Sequence, residues 1–240
     1  MWWILLLKKS IGFAGCSFTD GHGLEYYDGT NTVSRFSALV GNHFNINSIN
    51  QSFRGGSHTK IISWWDSYLQ QNNLDVFVFQ LTRWIRSDST VIPGVSHIDV
   101  IQHHLPILEK NNFTLDEYIE EAKKQDTLLV LNFLQKYENR FPIYILQWPE
   151  DTLSEVKQHT WMKERLLLLE YENENFECIA DLMDRPLKRI KSKRPELTIA
   201  TDYVNFKKPR MDYHPSKLCH KVIADNVIRR LENDNIFNNQ

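Results

Sequence analysis

The chain has 240 residues, 42% of them hydrophobic, enough to bury one sizeable core and a better fit to one large domain than to two small ones. Its 28 Lys and Arg stand against 30 Asp and Glu, a net charge of -2, so overall charge gives a nucleic acid no general attraction. Three scattered cysteines, Cys16, Cys178 and Cys219, fit neither a zinc knuckle nor a disulfide scaffold and point to a reducing, cytoplasmic compartment.

The opening apolar run, Met1 to Leu7, ends at Lys8 and Lys9. It is too short to span a bilayer and lacks the basic start and small-residue cleavage site of a secretory signal, so it reads as a packed strand or arm with no membrane role. Ile11 to Ala14 is a buried strand stopped at Gly15, and Cys16 to Gly21 is the loop after it. Val33, Phe36, Leu39, Val40 and Phe44 recur at helical spacing; Asn45 to Ile49 then alternates as a strand before a loop carrying Gly55 and Gly56. Helical spacing returns from Thr59 to Leu69, and Asp75 to Leu81 is the clearest fully buried strand.

From Arg83 to Phe113 no period is sustained, and Pro93-Gly94 interrupts it, so about 84–113 is expected to be an insertion over a sheet edge or over the site, in the position of a lid. His97, Asp99, His103 and His104 lie within it. The two adjacent histidines would point apart in helix or strand, and no metal site is assigned.

Thr114 to Glu117 is a capping box for a helix reaching about Tyr137, and Pro142 to Trp148 is another buried strand. The charged segment from about 150 to 210 divides: residues 150–184 hold ten acids and three bases, residues 185–210 nine bases and two acids. The basic half reads as a solvated loop paired with neighbouring acids, with an anionic glycan or nucleic acid as the alternative partner. Pro215-Ser216 opens a last helix with Leu218, Val222, Ile223, Val227, Ile228 and Leu231 on one face. Strands alternating with helices predict a three-layer α/β/α sandwich on a mostly parallel sheet, here a single domain over 1–240.

A serine becomes a nucleophile when a histidine takes its proton and a carboxylate holds that histidine. Ser17 follows the first strand at the carboxyl end of the sheet, where open α/β folds place their sites, and Asp212 and His214 precede the last helix in a loop that can return to the same rim. Cys16 is a second nucleophile candidate, against a packing role at the strand end. The seven tryptophans are either core or a sugar-stacking platform.

Gly15-Cys16-Ser17-Phe18-Thr19 resembles the first block of the SGNH (GDSL-like) hydrolases, and Asp212-x-His214-Pro215 resembles their last. Asn50 with Gly55-Gly56-Ser57 lies where the family has its second block, and the order of blocks matches across residues 15–216. Cys16 replaces the usual Asp, and Gln80-Leu81-Thr82-Arg83 stands where the family's third block, Gly-x-Asn-Asp, would supply an oxyanion donor. The acid also lies two rather than three residues before the histidine.

The resemblance implies an SGNH hydrolase or flavodoxin-like sandwich and a serine esterase. Ser17, Asp212 and His214 would be its catalytic triad, and Ser17, Gly56 and Thr82 its oxyanion donors. It implies no cofactor or metal, and a small-molecule or glycan acyl ester as substrate, with O-deacetylation among the reactions. The altered third block leaves open a binding or assembly module on the same fold, and the basic segment a nucleic-acid partner.

Overall fold

A computed structural model describes residues 8–22, 24, 32–86, 91–92, 95, 97–148, 153–183, 194–201 and 210–237, without the side chains of 97, 98, 101–105, 195, 198–201 and 210–213. The opening arm, and residues 185–193 and 202–209 of the basic half, lie outside these. Among the described residues no helix is long and apolar enough to cross a membrane.

Four strands, β1 (Ser10–Gly15), β2 (Asn47–Ser52), β3 (Val76–Leu81) and β4 (Ile143–Gln147), form a sheet in the order β2-β1-β3-β4, every pair parallel. Every residue of β3 and β4 is buried, as expected of central strands covered on both faces. A parallel bridge between Ile145 and Leu166 extends the sheet beyond β4.

Alternation along the strands feeds two separate cores. On one face Ile11, Phe13, Val76, Val78 and Leu146 pack against helix α2 (Phe36–His43) and the final helix α9 (Lys217–Asn233). On the other, Ala14, Phe77, Phe79 and Ile145 pack against α3 (His58–Gln71) and α5 (Leu115–Tyr137). This is the expected three-layer sandwich. The helix starts are fixed by side-chain caps: Ser57 accepts from Lys60 N–H, Thr114 and Glu117 form the full capping box, and Ser216 accepts from Cys219 N–H.

Four elements differ from the sequence expectation, the first being a one-turn helix over Ser17–Asp20 where a loop is expected. The stretch after Arg83 contains a 3-10 turn (Trp84–Arg86) and helix α4 (His97–Lys110), which packs through Val100 and Leu108 on Tyr118 and Ala122 of α5. Pro106 inside that helix disguised its period. The second strand runs to Ser52 and takes in Asn50. After β4 come the short helices α6 (Leu153–Gln158), α7 (Thr160–Arg165) and α8 (Ile179–Leu182) and the hairpin of β5 (Leu169–Tyr171) and β6 (Glu174–Phe176). Finally, beyond these, Asp212 and His214 stand on a strand, β8 (Arg210–Pro215), not in a loop; it pairs antiparallel with β7 (Thr198–Thr201), Ile199 opposite Asp212, and α9 starts only at Lys217.

Candidate active site

The turn after β1 is held by more contacts than a connection needs. A Cβ on Gly15 would sit 2.2 Å from Thr19 Oγ1 and 2.6 Å from Gln80 Oε1, so only glycine lets the chain fold back here. Gln80, fully buried on β3, accepts at Oε1 from the Thr19 hydroxyl at 2.5 Å and from Cys16 N–H at 3.4 Å. Asn50 on β2 donates to Thr19 O at 2.8 Å and to Ser37 Oγ at 2.6 Å, while Ser52 Oγ donates to Asn50 Oδ1 at 2.6 Å. Two neighbouring strands thereby fix the one-turn helix α1 (Ser17–Asp20) that begins at the candidate nucleophile. Cys16 is fully buried with its Sγ 3.3 Å from Gln80 Nε2, which matches a packing role.

His214 reaches this turn from the far end of the chain. Its Nε2 lies 2.9 Å from Ser17 Oγ across 197 residues of sequence. The ring stands edge-on to Phe18 and His22, at centroid distances of 5.1 and 4.7 Å. Ser17 is 6% exposed, so the hydroxyl–imidazole contact is shielded from bulk water. The side chain of Asp212 falls outside the described residues, as do those of His97, His103 and His104.

Behind this pair His220 is completely buried and accepts from Phe36 N–H at 3.3 Å. Burial, and then repulsion from His214 and Arg35, holds its pKa down at about 3, so it is neutral near pH 7.

The amides of Gly56 and Thr82 each have a hydrogen-bond partner. Gly55 takes the positive φ of the turn, 67°, and Gly56 N–H donates to Phe53 O at 2.8 Å, so the Gly56 amide expected as an oxyanion donor is engaged in closing its own turn. Thr82 N–H donates to His58 Nε2 at 2.8 Å, and His58 Nδ1 lies 2.6 Å from Asp126 Oδ2, both side chains 1% exposed. An Nε2 that accepts from an amide leaves the ring proton on Nδ1, so His58 is neutral and donates to Asp126. The Thr82 hydroxyl, in contrast, is buried with no hydrogen-bond partner among the described residues. Because β1 and β3 pair Ala14 with Phe79, Ser17 and Thr82 each follow by three residues and leave the sheet at the same rim.

From sequence alone Gln80 is noted only as part of the stretch Gln80–Arg83, and no site role is assigned to Gln80, His58 or Asp126. A glutamine inside Val76-Phe77-Val78-Phe79-Gln80-Leu81 was the available signal, since a polar side chain in a buried strand must find a partner. The His58–Asp126 contact spans 68 residues and leaves no local pattern. Among the described residues no cluster of three or more His, Cys, Asp or Glu has metal-binding geometry.

No family model matches the sequence, and no curated protein matches it either. Similarity is found at the level of structure. A G-D-S-L family protein from Desulfitobacterium hafniense DCB-2 aligns over 92% of this chain and 98% of its own, with a TM-score of 0.50 at 14% identity. A carbohydrate esterase, described as having an active site with divergent catalytic and non-catalytic binding functions, aligns over 95% of this chain and 66% of its own, with a TM-score of 0.50 at 13% identity. The chain thus has the SGNH hydrolase-like fold, carried by a divergent sequence.

Proposed function

We propose that the chain is a serine esterase whose nucleophile is Ser17 and whose base is His214. The observation that carries this reading is the 2.9 Å contact between Ser17 Oγ and His214 Nε2, made by residues that only the fold brings together. In the reaction Ser17 Oγ attacks the acyl carbon while His214 Nε2 takes its proton. The tetrahedral intermediate collapses, His214 returns the proton to the departing alcohol, and water activated by the same imidazole releases the acid from the acyl-enzyme. Asp212, two positions earlier on β8, is the acid assigned to orient the imidazole. For the oxyanion, Ser17 N–H and the Thr82 hydroxyl are the preferred donors, since Gly56 N–H is engaged by Phe53 O. A small acyl group on a sugar or similar alcohol is the substrate class; the likeness to a carbohydrate esterase supports it.

A second reading, a binding module on the same fold, draws on the engaged Gly56 and Thr82 amides. The two are separated by p-nitrophenyl acetate hydrolysis and by fluorophosphonate labelling, read as intact mass, in the wild type, Ser17→Ala and Cys16→Ala. Turnover and labelling lost only in Ser17→Ala are the expected result. A wild type that neither turns over nor labels would replace the esterase with the binding module.

A further inference from the structure

Beside the Ser17–His214 pair, two arginines share one tryptophan. The guanidinium of Arg83 lies 5.3 Å from the Trp148 ring centroid and that of Arg86 lies 5.1 Å from it. Trp148 is 3% exposed and packs on Phe18 at 4.4 Å, and Phe18 packs on His214. Arg83 and Trp148 leave the carboxyl ends of β3 and β4, where Leu81 pairs with Gln147, so both stand at the rim that also carries Ser17.

These arginines lack the carboxylate that most described arginines have, although Arg35 Nε is likewise buried without a hydrogen-bond partner among the described residues and Arg140 bonds backbone carbonyls instead. Arg54, Arg165, Arg194, Arg229 and Arg230 each face a carboxylate. Among the described residues neither Arg83 nor Arg86 pairs with one, and Arg83 Nε and Arg86 Nη1 are buried without any hydrogen-bond partner. A buried N–H of a charged group without an acceptor is costly, and two cations on one ring repel each other. An anion bound between them removes both penalties, and the planar fork of arginine suits a carboxylate or a phosphate oxygen pair.

We propose that Arg83 and Arg86, held by Trp148, form a subsite for an anionic group on the ester substrate, a carboxylate being the simplest occupant. This rests on the esterase reading for its position beside the reacting ester. The anion site itself stands or falls separately. Two acidic esters place the charge on either side of the scissile bond: mono-4-nitrophenyl succinate on the acyl side and 4-acetoxybenzoate on the alcohol side. Their neutral references are 4-nitrophenyl butyrate and phenyl acetate.

The expected result is a preference for one acidic ester over its neutral reference. Arg83→Gln or Arg86→Gln should lower kcat/KM for that ester by about 10- to 100-fold, leaving the neutral one within about threefold. Arg86→Lys, which keeps the charge but not the fork, should fall between, and thermal melts should show each variant folded. Calorimetric titration of Ser17→Ala with succinate and with 4-hydroxybenzoate reads the site without catalysis. Binding that disappears in the Gln variants upholds the subsite even where no ester is turned over. Neutral esters hydrolysed with no acidic preference, together with no binding of either anion, would overturn it while leaving the esterase intact.

Discussion

Two histidines of this molecule have nearly the same partner distance and partners of opposite character. His58 Nε2 lies 2.8 Å from Thr82 N, and His214 Nε2 lies 2.9 Å from Ser17 Oγ. A peptide N–H keeps its proton across the physiological range, so the first contact is a fastener; a hydroxyl surrenders its proton as it attacks, so the second is fit for chemistry. His58 is 1% exposed and paired with an equally buried Asp126, whereas His214 sits half-buried at the rim of the sheet. A histidine beside an acid is therefore no signature of catalysis here. What Nε2 faces decides the role.

The largest effect expected is on turnover. His214→Ala should reduce kcat for p-nitrophenyl acetate by about 10,000-fold, the scale on which a triad member acts. Its midpoint of urea unfolding should hardly move, because a rim side chain holds little of the core. Should His214→Ala retain wild-type kcat, the contrast with His58 would lose its chemical half.

His58→Ala should act on the other quantity. It leaves Asp126 and the Thr82 N–H buried without their hydrogen-bond partner, and each buried group left unsatisfied costs about 1–3 kcal/mol. Urea unfolding measures this directly. Replacing both residues, with His58→Leu and Asp126→Leu, should recover much of the loss, since two apolar side chains carry no unpaired charge. A double variant no more stable than His58→Ala would mean that His58 matters chiefly for holding Thr82 N–H and the end of β3 rather than for satisfying Asp126.

The same contrast separates what was legible in the sequence from what was not. The central strands stood out because a strand covered on both faces is a continuous apolar run, and Gly15, Ser17 and His214 stood out because short blocks in a fixed order point to one rim. Helix α4 did not, because Pro106 and the preceding Pro93-Gly94 read as breakers while tertiary contacts to Tyr118 and Ala122 support it. Thr82 was legible as the residue standing at the third block, but not that its amide is taken by His58 while its hydroxyl is left over. Gly56 likewise could be placed at the second block, yet the direction of its amide is a property of the turn it closes.

Gly15→Ala sharpens the comparison at the turn that carries the proposed nucleophile. The new methyl would meet Thr19 Oγ1 and Gln80 Oε1, two groups already bonded to each other in a closed space. Crowding of this kind costs about 2–3 kcal/mol, and relief requires the turn carrying Ser17 to shift. Stability and kcat should therefore fall together, unlike in either histidine variant. Unchanged kcat alongside lost stability would show that the turn tolerates displacement without losing the Ser17–His214 contact.

A third histidine supplies the smallest effect and a pH dependence of definite sign. His220 has its folded pKa pushed down from 6.5 to about 3, first by burial and then by His214 and Arg35. The unfolded chain therefore takes up a proton below pH 6.5 that the folded chain refuses, and stability present above that pH is lost progressively as pH falls toward the folded value. Between neutrality and about pH 5 the loss from this one site is about 2 kcal/mol at most. Urea unfolding over that range should show the decline, and His220→Gln, which keeps an acceptor for Phe36 N–H, should be less stable at neutral pH yet flatter in its dependence. An equal slope in the wild type and His220→Gln would assign the acid sensitivity to other groups. In the proposed mechanism His214, not the buried His220, takes the Ser17 proton, and a charged His220 behind it would oppose that step.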